Sequence, residues 1–419
     1  MMNILIFVAG LLVYAGYGWL GLAYLAVVTT LSYFLGLAIP RHKWLMWVGV
    51  SINSAILLLI KLQPLTGLSF ISVLGISYFT LQIIAYLVDI YKEKQQPERN
   101  FLRFALFVTY LPHLFSGPIE RYGRFCSALE NRRITFDGVL TGGIRAIWGG
   151  VKLLLIDARV AVVIAAITAK PELYHGAYAF AAMVLYSLRL YTNFSGTMDV
   201  VLGISQMLGL KLSENFDTPY LSQSFQEFWR RWHITLGDWL KNYVYIPLGG
   251  NRKGKVRKTV NLIATFLVSG VWHGIEYLLW GIFNGIFVAF GTKLQTKWKH
   301  LNRICTFLLV SVLWSFGFVW GDPLTALKMI GSVFTTFNYS AFFAGIGALG
   351  LTLTDWIVVA AASALLWIYD VYKARINPRL AAMSPAAKTA ILCALALMVL
   401  VFGRYGLGFD PAGSVYGGY

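Results

Sequence analysis

Long apolar runs constrain this chain more than any other feature of its sequence. The runs at 20–39, 44–60, 259–271 and 304–320 approach or reach the roughly 20 residues that an α-helix needs to cross a bilayer. Inside lipid every backbone polar group must be paired within the protein, so a crossing segment is a helix or a barrel strand. Barrel strands alternate in polarity over about ten residues, whereas these runs are apolar on every face. The runs therefore predict an all-α polytopic membrane protein.

The charge of the chain agrees with a membrane location. Only 13% of the residues are charged, against about 25% in an average soluble domain. The net charge is +17, and the basic residues cluster in loops between apolar runs, at 41–43, 92–103, 121–133, 252–258, 293–303 and 373–388. Such loops face the cytoplasm and attract anionic lipid headgroups. Their position beside apolar runs argues against a nucleic-acid partner.

The basic loops also predict the topology. If the basic loops lie in the cytoplasm, the N-terminus is also cytoplasmic and the Gly-rich tail, 403–419, lies outside the cell membrane. The first apolar run has no basic region before it, which predicts a membrane helix and not a cleaved signal. The short run 104–115 ends in Ser-Gly-Pro between two basic loops, which predicts a re-entrant segment beside a polar pocket. The whole chain, 1–419, is predicted to be one domain.

Two polar segments interrupt the apolar pattern. The first, 192–199, is predicted to break the helix that enters it. The second carries an aromatic stripe at helical spacing, with charged residues off the stripe. The stripe consists of Phe225, Phe228, Trp232, Trp239 and Tyr243. This pattern is typical of an amphipathic helix at a membrane surface, and it predicts an interfacial helix over about 224–246 on the cytoplasmic side.

Two of the six histidines are candidates for chemistry. His273 ends an apolar run, and an ionisable side chain at membrane depth is a functional candidate by default. A neutral imidazole there can act as a general base, although a histidine that only hydrogen-bonds at a helix end fits the same pattern. His233 follows Arg231 and Trp232, and a structural histidine of an interfacial helix is an equally good interpretation.

The sequence predicts no metal site and only a weak phosphate site. The three cysteines are far apart, and no HxxxH or HExxH spacing occurs. The turn at 248–252 lies beside basic residues and can hold a phosphate on backbone N–H groups. It lacks the Lys-Ser/Thr pair of a P-loop, so an ordinary loop is the favoured interpretation.

Several motifs resemble those of the membrane-bound O-acyltransferase family. The strongest are Glu-Phe-Trp-Arg-Arg-Trp-His-Ile-Thr-Leu at 227–236 and Trp-His-Gly at 272–274, and the others lie at 75–78, 117–121, 194–196, 215–220 and 245–252. Within the family the chain resembles bacterial alginate O-acetyltransferase membrane subunits, with the membrane proteins of teichoic-acid D-alanyl transfer as relatives. The resemblance implies a helical bundle in the bacterial cell membrane, with re-entrant and interfacial helices around a tunnel or funnel.

The resemblance also implies a reaction. A small acyl group, with acetyl favoured, moves from a cytoplasmic thioester donor across the membrane for O-acylation of a cell-surface or secreted polysaccharide. His273 matches the family's signature histidine, and His233 is expected near it on the donor side. The donor is acetyl-CoA or an acyl-phosphopantetheinyl carrier protein, with no permanently bound cofactor, and an extracytoplasmic SGNH-type acyltransferase partner is expected. The residues expected to bind the donor are Arg230, Arg231, Trp232, Asn251 and Arg252.

The sequence departs from the family pattern in four places. Relatives usually carry a further N-terminal span. Asn193 stands where Asp is frequent, Lys241-Asn242 replaces an Arg-Asp pair, and the tail lacks a common aromatic ending. Instead the tail contains Tyr416 among glycines, and it resembles the Tyr-containing end of a small partner peptide in teichoic-acid systems. We therefore predict that Tyr416 folds back into an outer funnel, as an acyl relay or as part of the site. A terminus without a function is an equally good interpretation.

Three alternatives remain open at this point. D-alanyl transfer to teichoic acid is a different reaction on the same fold. A transporter or flippase has broken helices in paired halves, and no internal duplication is visible in this sequence. A non-catalytic assembly subunit would retain the fold without the chemistry.

Overall fold

The structure is a computed structural model that describes residues 2–63, 74–114, 117–291, 296–336 and 338–405. Over these residues the chain is helical, without a β-strand, apart from one isolated bridge between Phe216 and Trp232. Three helices are long and apolar enough to cross a membrane: Trp19–Ala38, Leu353–Ala382 and Pro385–Phe402. Shorter apolar helices accompany them. The prediction of an all-α polytopic membrane protein is confirmed.

The α-helices follow one another in this order. The first ten are α1 (Met2–Tyr17), α2 (Trp19–Ala38), α3 (Leu45–Lys61), α4 (Ile76–Tyr91), α5 (Phe101–Thr109), α6 (Leu111–Leu114), α7 (Tyr122–Glu130), α8 (Phe136–Val151), α9 (Ala158–Thr168) and α10 (Ala177–Met207). The others are α11 (Phe225–Arg231), α12 (Ile234–Leu240), α13 (Gly254–His273), α14 (Leu278–Phe290), α15 (Lys299–Leu313), α16 (Pro323–Thr335), α17 (Tyr339–Gly345), α18 (Leu353–Ala382) and α19 (Pro385–Phe402). Short π-helical turns occupy Lys152–Asp157 and Lys241–Tyr245, and the chain kinks within Ser315–Val319, where Phe316 and Gly317 leave helical geometry.

Helices α8 and α10 approach each other through glycine. A Cβ atom on Gly203 would lie 2.5 Å from the carbonyl oxygen of Gly142, and Gly149 faces Gly196 in the same way. Helices in membranes pack this closely where small residues line the contact. The close contact brings the polar side chains of the two helices within hydrogen-bonding distance of one another.

The polar segment 192–199 does not break its helix, so the prediction of an interruption there was wrong. Helix α10 is continuous over 31 residues. Its polar side chains have partners on the neighbouring π-helical turn and on α8. Asp199 pairs with Lys152 at 2.7 Å and with Arg145 at 3.0 Å, and Asn193 donates to Asp157 at 2.8 Å. Because these groups are paired inside the protein, the helix can carry them through the bundle.

The segment predicted as one helix over about 224–246 is divided in the structure. Helices α11 and α12 are separated by a break at Trp232 and His233, where His233 has a left-handed backbone with φ of 45°. The first part of the aromatic stripe packs inside the protein, with Phe228 0% and Trp232 2% exposed. Trp232 contacts Trp314 at a ring separation of 5.5 Å. The helical spacing therefore reflects contact with other helices, and the surface location of this segment stays a prediction.

The short apolar run near 104–115 forms two helices, α5 and α6, on either side of Tyr110. Phe104, Phe107 and Val108 are completely buried. Asn100 caps α5 by accepting a hydrogen bond from the Arg103 N–H at 3.1 Å. Irregular backbone at membrane depth requires this kind of burial within the protein, and the re-entrant path stays a prediction.

Candidate active site

The two candidate histidines lie close together in the structure. Trp272 contacts both of them, with its ring centre 4.7 Å from the ring of His273 and 6.0 Å from the ring of His233. The two imidazoles are near enough to interact electrostatically. His233 is 3% exposed and His273 is 6% exposed. The fold therefore buries both predicted residues in one place.

His273 occupies the last position of α13. This helix begins in the basic loop at 252–258 and runs for 20 residues, a length of about 30 Å. Gly274 then turns the chain away with φ of 154°, and a Cβ atom there would lie 2.5 Å from the Glu276 carboxylate. Trp280 and Tyr277 complete an aromatic wall around the imidazole, at ring separations of 5.4 Å and 5.9 Å. The Trp-His-Gly motif thus places an imidazole at the far end of a helix that starts among basic residues.

His233 is held in a strained conformation. A left-handed backbone at a residue other than glycine costs about 1–3 kcal/mol and persists only when the surroundings enforce it. Here the Ile234 N–H donates to the Asn215 carbonyl at 3.0 Å. The Thr235 N–H and hydroxyl both donate to the Asn215 side-chain oxygen, at 3.0 Å and 2.8 Å. The sequence motif at 215–220 therefore supports the turn that carries His233.

The His233 ring has an open nitrogen. The edge of Phe194 packs against the imidazole at a ring separation of 4.7 Å. Among the residues that the structure describes, no group hydrogen-bonds to its buried Nε2 atom. Buried polar atoms normally have partners. The Nε2 atom of His233 is therefore available to a ligand, and the role of His233 as a site residue stays a prediction.

The predicted donor-binding residues fall into two groups. Arg230, Asn251 and Arg252 are exposed. Arg231 is paired with Glu227 at 2.6 Å and also donates to the Thr218 hydroxyl at 3.2 Å, and Trp232 is buried in the aromatic core. Arg231 and Trp232 therefore contribute to the fold around His233. Tyr416 lies outside the described residues.

A cavity of about 300 Å³ lies beside α12 and is lined in part by residues 119–121. It lies next to the position where the sequence predicts a polar pocket. Its lining includes Arg121, Arg124 and Asp238. Thr235, which also lines it, accepts a hydrogen bond from the Ile119 N–H at 3.0 Å and is two residues from His233. The Gly-Pro-Ile-Glu-Arg motif supplies Ile119, Glu120 and Arg121 to this lining, so two arginines and two carboxylates line the cavity.

A larger cavity of about 610 Å³ is lined by residues of α8, α10, α18 and α19, and neither histidine lines it. Its charged side chains include the Arg145, Lys152 and Asp199 network, in which the charges are paired with one another. No group of three or more His, Cys, Asp or Glu side chains suited to a metal occurs in the described ranges. Neither histidine lines the smaller cavity, but Thr235 in its wall is two residues from His233. We therefore take the two histidines together with the smaller cavity as the candidate active site.

This arrangement can support proton transfer to and from a hydroxyl or a thiol. Buried imidazoles are suited to general acid–base catalysis. Aromatic walls exclude water, which protects a reactive acyl group from hydrolysis. Arginines in the cavity lining are suited to phosphate groups, because guanidinium and phosphate form paired, charge-assisted hydrogen bonds.

Comparisons with known proteins agree with this chemistry. Residues 92–321, which include both histidines, match the model of the MBOAT, membrane-bound O-acyltransferase family. The chain is 34% identical over 391 residues to a probable alginate O-acetylase AlgI of Pseudomonas fluorescens, covering 89% of this chain and 78% of that protein. It is 34% identical over 274 residues to a peptidoglycan O-acetyltransferase of Helicobacter pylori, covering 57% of this chain and 50% of that protein.

A third relative is named for the transfer of a different acyl group. The chain is 31% identical over 270 residues to a teichoic acid D-alanyltransferase of Bacillus subtilis, covering 59% of this chain and 67% of that protein. The family match spans more than half of the chain, and the alginate relative is matched over most of its own length. This chain belongs to the membrane-bound O-acyltransferase family and is an O-acyltransferase of the membrane.

Proposed function

We propose that this protein takes a small acyl group, acetyl by preference, from a thioester donor on the cytoplasmic side of the membrane. It delivers this group across the membrane for O-acylation of a cell-surface or secreted polysaccharide. The observation that carries the proposal is the burial of His233 and His273 together at the end of α13. The other end of that helix carries the basic loop at 252–258. Relatives named for alginate and peptidoglycan O-acetylation favour acetyl and a polysaccharide.

In the proposed reaction His273 acts as the general base. It removes the proton of the acceptor hydroxyl while the oxygen attacks the thioester carbonyl carbon, and a C–O bond forms. The tetrahedral intermediate then breaks its C–S bond, and the sulfur leaves as a thiol after it receives a proton from an imidazolium. His233, whose Nε2 has no hydrogen-bond partner among the described residues, orients the thioester or supplies this proton. If His273 returns its proton to the sulfur, both histidines are unchanged; if His233 supplies the proton, the proton held by His273 passes to His233 and restores both. The products are an ester and a free thiol.

The donor enters through the cavity beside α12 in this proposal. Arg121 and Arg124 line that cavity, and Thr235 lies two residues from His233. The exposed Arg230, Asn251 and Arg252 extend the donor surface toward the cytoplasm. Arg231 and Trp232 support the His233 turn and so assist donor binding indirectly. A coenzyme A or phosphopantetheinyl donor supplies the phosphate groups that this surface suits. On the outer side, an SGNH-type partner acyltransferase completes transfer to the polysaccharide.

Removing the arginines of the donor cavity is expected to weaken binding of the acyl donor. Replacing Arg121 and Arg124 together with alanine is expected to raise KM for acetyl-CoA by about tenfold or more, because each charge-assisted hydrogen bond contributes about 1.5–3 kcal/mol. The value of kcat should change much less, since the histidines are untouched. Steady-state kinetics test this, with Arg99→Ala as the control because Arg99 is an exposed basic residue outside the cavity. An unchanged KM would place the donor elsewhere.

The tail gives a separate prediction. If Tyr416 accepts the acyl group as a phenyl ester, Tyr416→Phe should abolish stable labelling of the protein by a labelled donor, while donor binding persists. Tyr419→Phe is a matched control, because it removes another tyrosine hydroxyl of the same tail. Full activity of Tyr416→Phe would exclude the relay.

The experiment that tests the proposed function is acyl transfer by the purified protein, with separate reactions for radiolabelled acetyl-CoA, an acetylated carrier protein and a D-alanylated carrier protein. Release of thiol and transfer of label from an acetyl donor support the proposal. Transfer of D-alanine alone would instead favour the reaction named for the Bacillus subtilis relative. No transfer from any donor, with or without an SGNH-type partner, would contradict the proposed reaction.

A further inference from the structure

A buried lysine lies against the last residue of α13. Lys61 is the final residue of α3 and is only 7% exposed. Its Nζ atom donates a hydrogen bond of 3.5 Å to the backbone carbonyl of His273. Lysines within membrane segments are rare and mark functional sites by default. Nothing in the apolar run that ends at Lys61 anticipates this contact.

The contact pairs a backbone carbonyl at the end of α13. The last carbonyls of an α-helix have no partner within the helix, and the helix dipole places partial negative charge there. An ammonium group at this point satisfies one of those carbonyls and compensates the partial charge. The carbonyl in question belongs to His273 itself, so the contact fixes the backbone from which the imidazole projects.

Charges surround the contact on both sides. Lys61 interacts electrostatically with the exposed Glu276 and with the ring of His273. The Glu276 carboxylate lies over Gly274, the residue that ends the helix. Glu276 thus lies beside the residue that ends α13 and within electrostatic range of Lys61.

We propose that Lys61 is a positioning residue for the reaction: its ammonium holds the last turn of α13 so that the His273 imidazole faces the acceptor hydroxyl. Glu276 balances the charge of the ammonium. This inference rests on the proposed role of His273 as the general base. A simpler role for Lys61, in which it only neutralises Glu276, makes different predictions for the same variants.

The test compares Lys61→Met, Lys61→Arg and the double variant Lys61→Met with Glu276→Gln. In Lys61→Met, kcat is expected to fall by about tenfold to 10²-fold, the loss associated with misplacing a catalytic group by about 1 Å. KM for the acyl donor should stay within about twofold, since Lys61 does not line the cavity through which the donor is proposed to enter. Lys61→Arg should recover part of kcat because a guanidinium can donate to the same carbonyl. The double variant should remain as slow as Lys61→Met.

Lys43→Met is the control, because Lys43 is an exposed lysine whose partner Glu93 is also exposed. Wild-type kcat in Lys61→Met would overturn the proposal. Recovery of kcat in the double variant would also overturn it, because that result would mean that Lys61 only neutralises Glu276. If Lys61→Met does not fold, the proposal requires Lys61→Arg to turn over faster than the double variant. Wild type and His273→Ala are measured together with these proteins: equal activity of those two would refute the base role of His273 and not the contact of Lys61.

Discussion

His273→Ala is expected to lower kcat for acyl transfer by about 10²- to 10⁴-fold, the contribution of a positioned general base. The physical reason is that the hydroxyl acceptor then attacks without a base within reach, inside an aromatic wall that excludes water. Donor binding should persist, because the residues that line the cavity beside α12 are unchanged. The measurement is turnover of the purified variant together with its donor dissociation constant.

The control for this prediction is His42→Ala, since His42 is exposed in a basic loop. It should turn over as wild type does. Imidazole added to His273→Ala is expected to restore part of the activity, because alanine leaves a space the size of the missing ring. A folded His273→Ala protein that keeps more than about a tenth of wild-type kcat would contradict the assignment.

Asp199→Ala is expected to destabilise the protein more than any exposed substitution. Asp199 pairs with Lys152, whose side chain is 5% exposed, and with Arg145. Removing one partner of a buried ion pair costs about 3–5 kcal/mol, because the remaining charge stays buried without compensation. The variant should accumulate poorly in the membrane and unfold at a lower temperature in detergent.

Glu214 provides a matched control for this stability prediction. It also pairs with Arg145, but its side chain is 54% exposed. Exposed ion pairs contribute about 0–1 kcal/mol, so Glu214→Ala should unfold near the wild-type temperature. Equal unfolding temperatures for Asp199→Ala and Glu214→Ala would show that the buried network does not support the fold.

The helical architecture was predictable because apolar runs of this length have few other structures available. The outcome at 192–199 was not predictable in the same way. A polar segment in an apolar run indicates a break in the helix. The helix stays continuous here because Asp199 pairs with Lys152 and Arg145, which lie on other segments. Local sequence carries no information about which distant charge will lie opposite.

For the histidines, too, part of the site was predictable from the sequence and part was not. Their motifs identified His233 and His273 as candidates, but it is their shared contact with Trp272 that joins the break after α11 to the end of α13. The left-handed backbone at His233 divides a segment whose aromatic spacing predicts one helix. Its cause is the set of hydrogen bonds from Ile234 and Thr235 to Asn215, which lies outside the aromatic stripe. Lys61 was missed because a single lysine at the end of an apolar run resembles an ordinary membrane-edge residue.

The central claim is that the buried histidine pair transfers an acyl group received from the cytoplasmic side to an acceptor on the other side. The most direct test reconstitutes wild type and His273→Ala in vesicles of known orientation, with labelled acyl donor on one face and the SGNH-type partner with polysaccharide on the other. We predict label on the polysaccharide only for wild type, and only when the donor contacts the face that carries the basic loop at 252–258. Equal labelling from either face, or equal labelling by His273→Ala, would contradict the account.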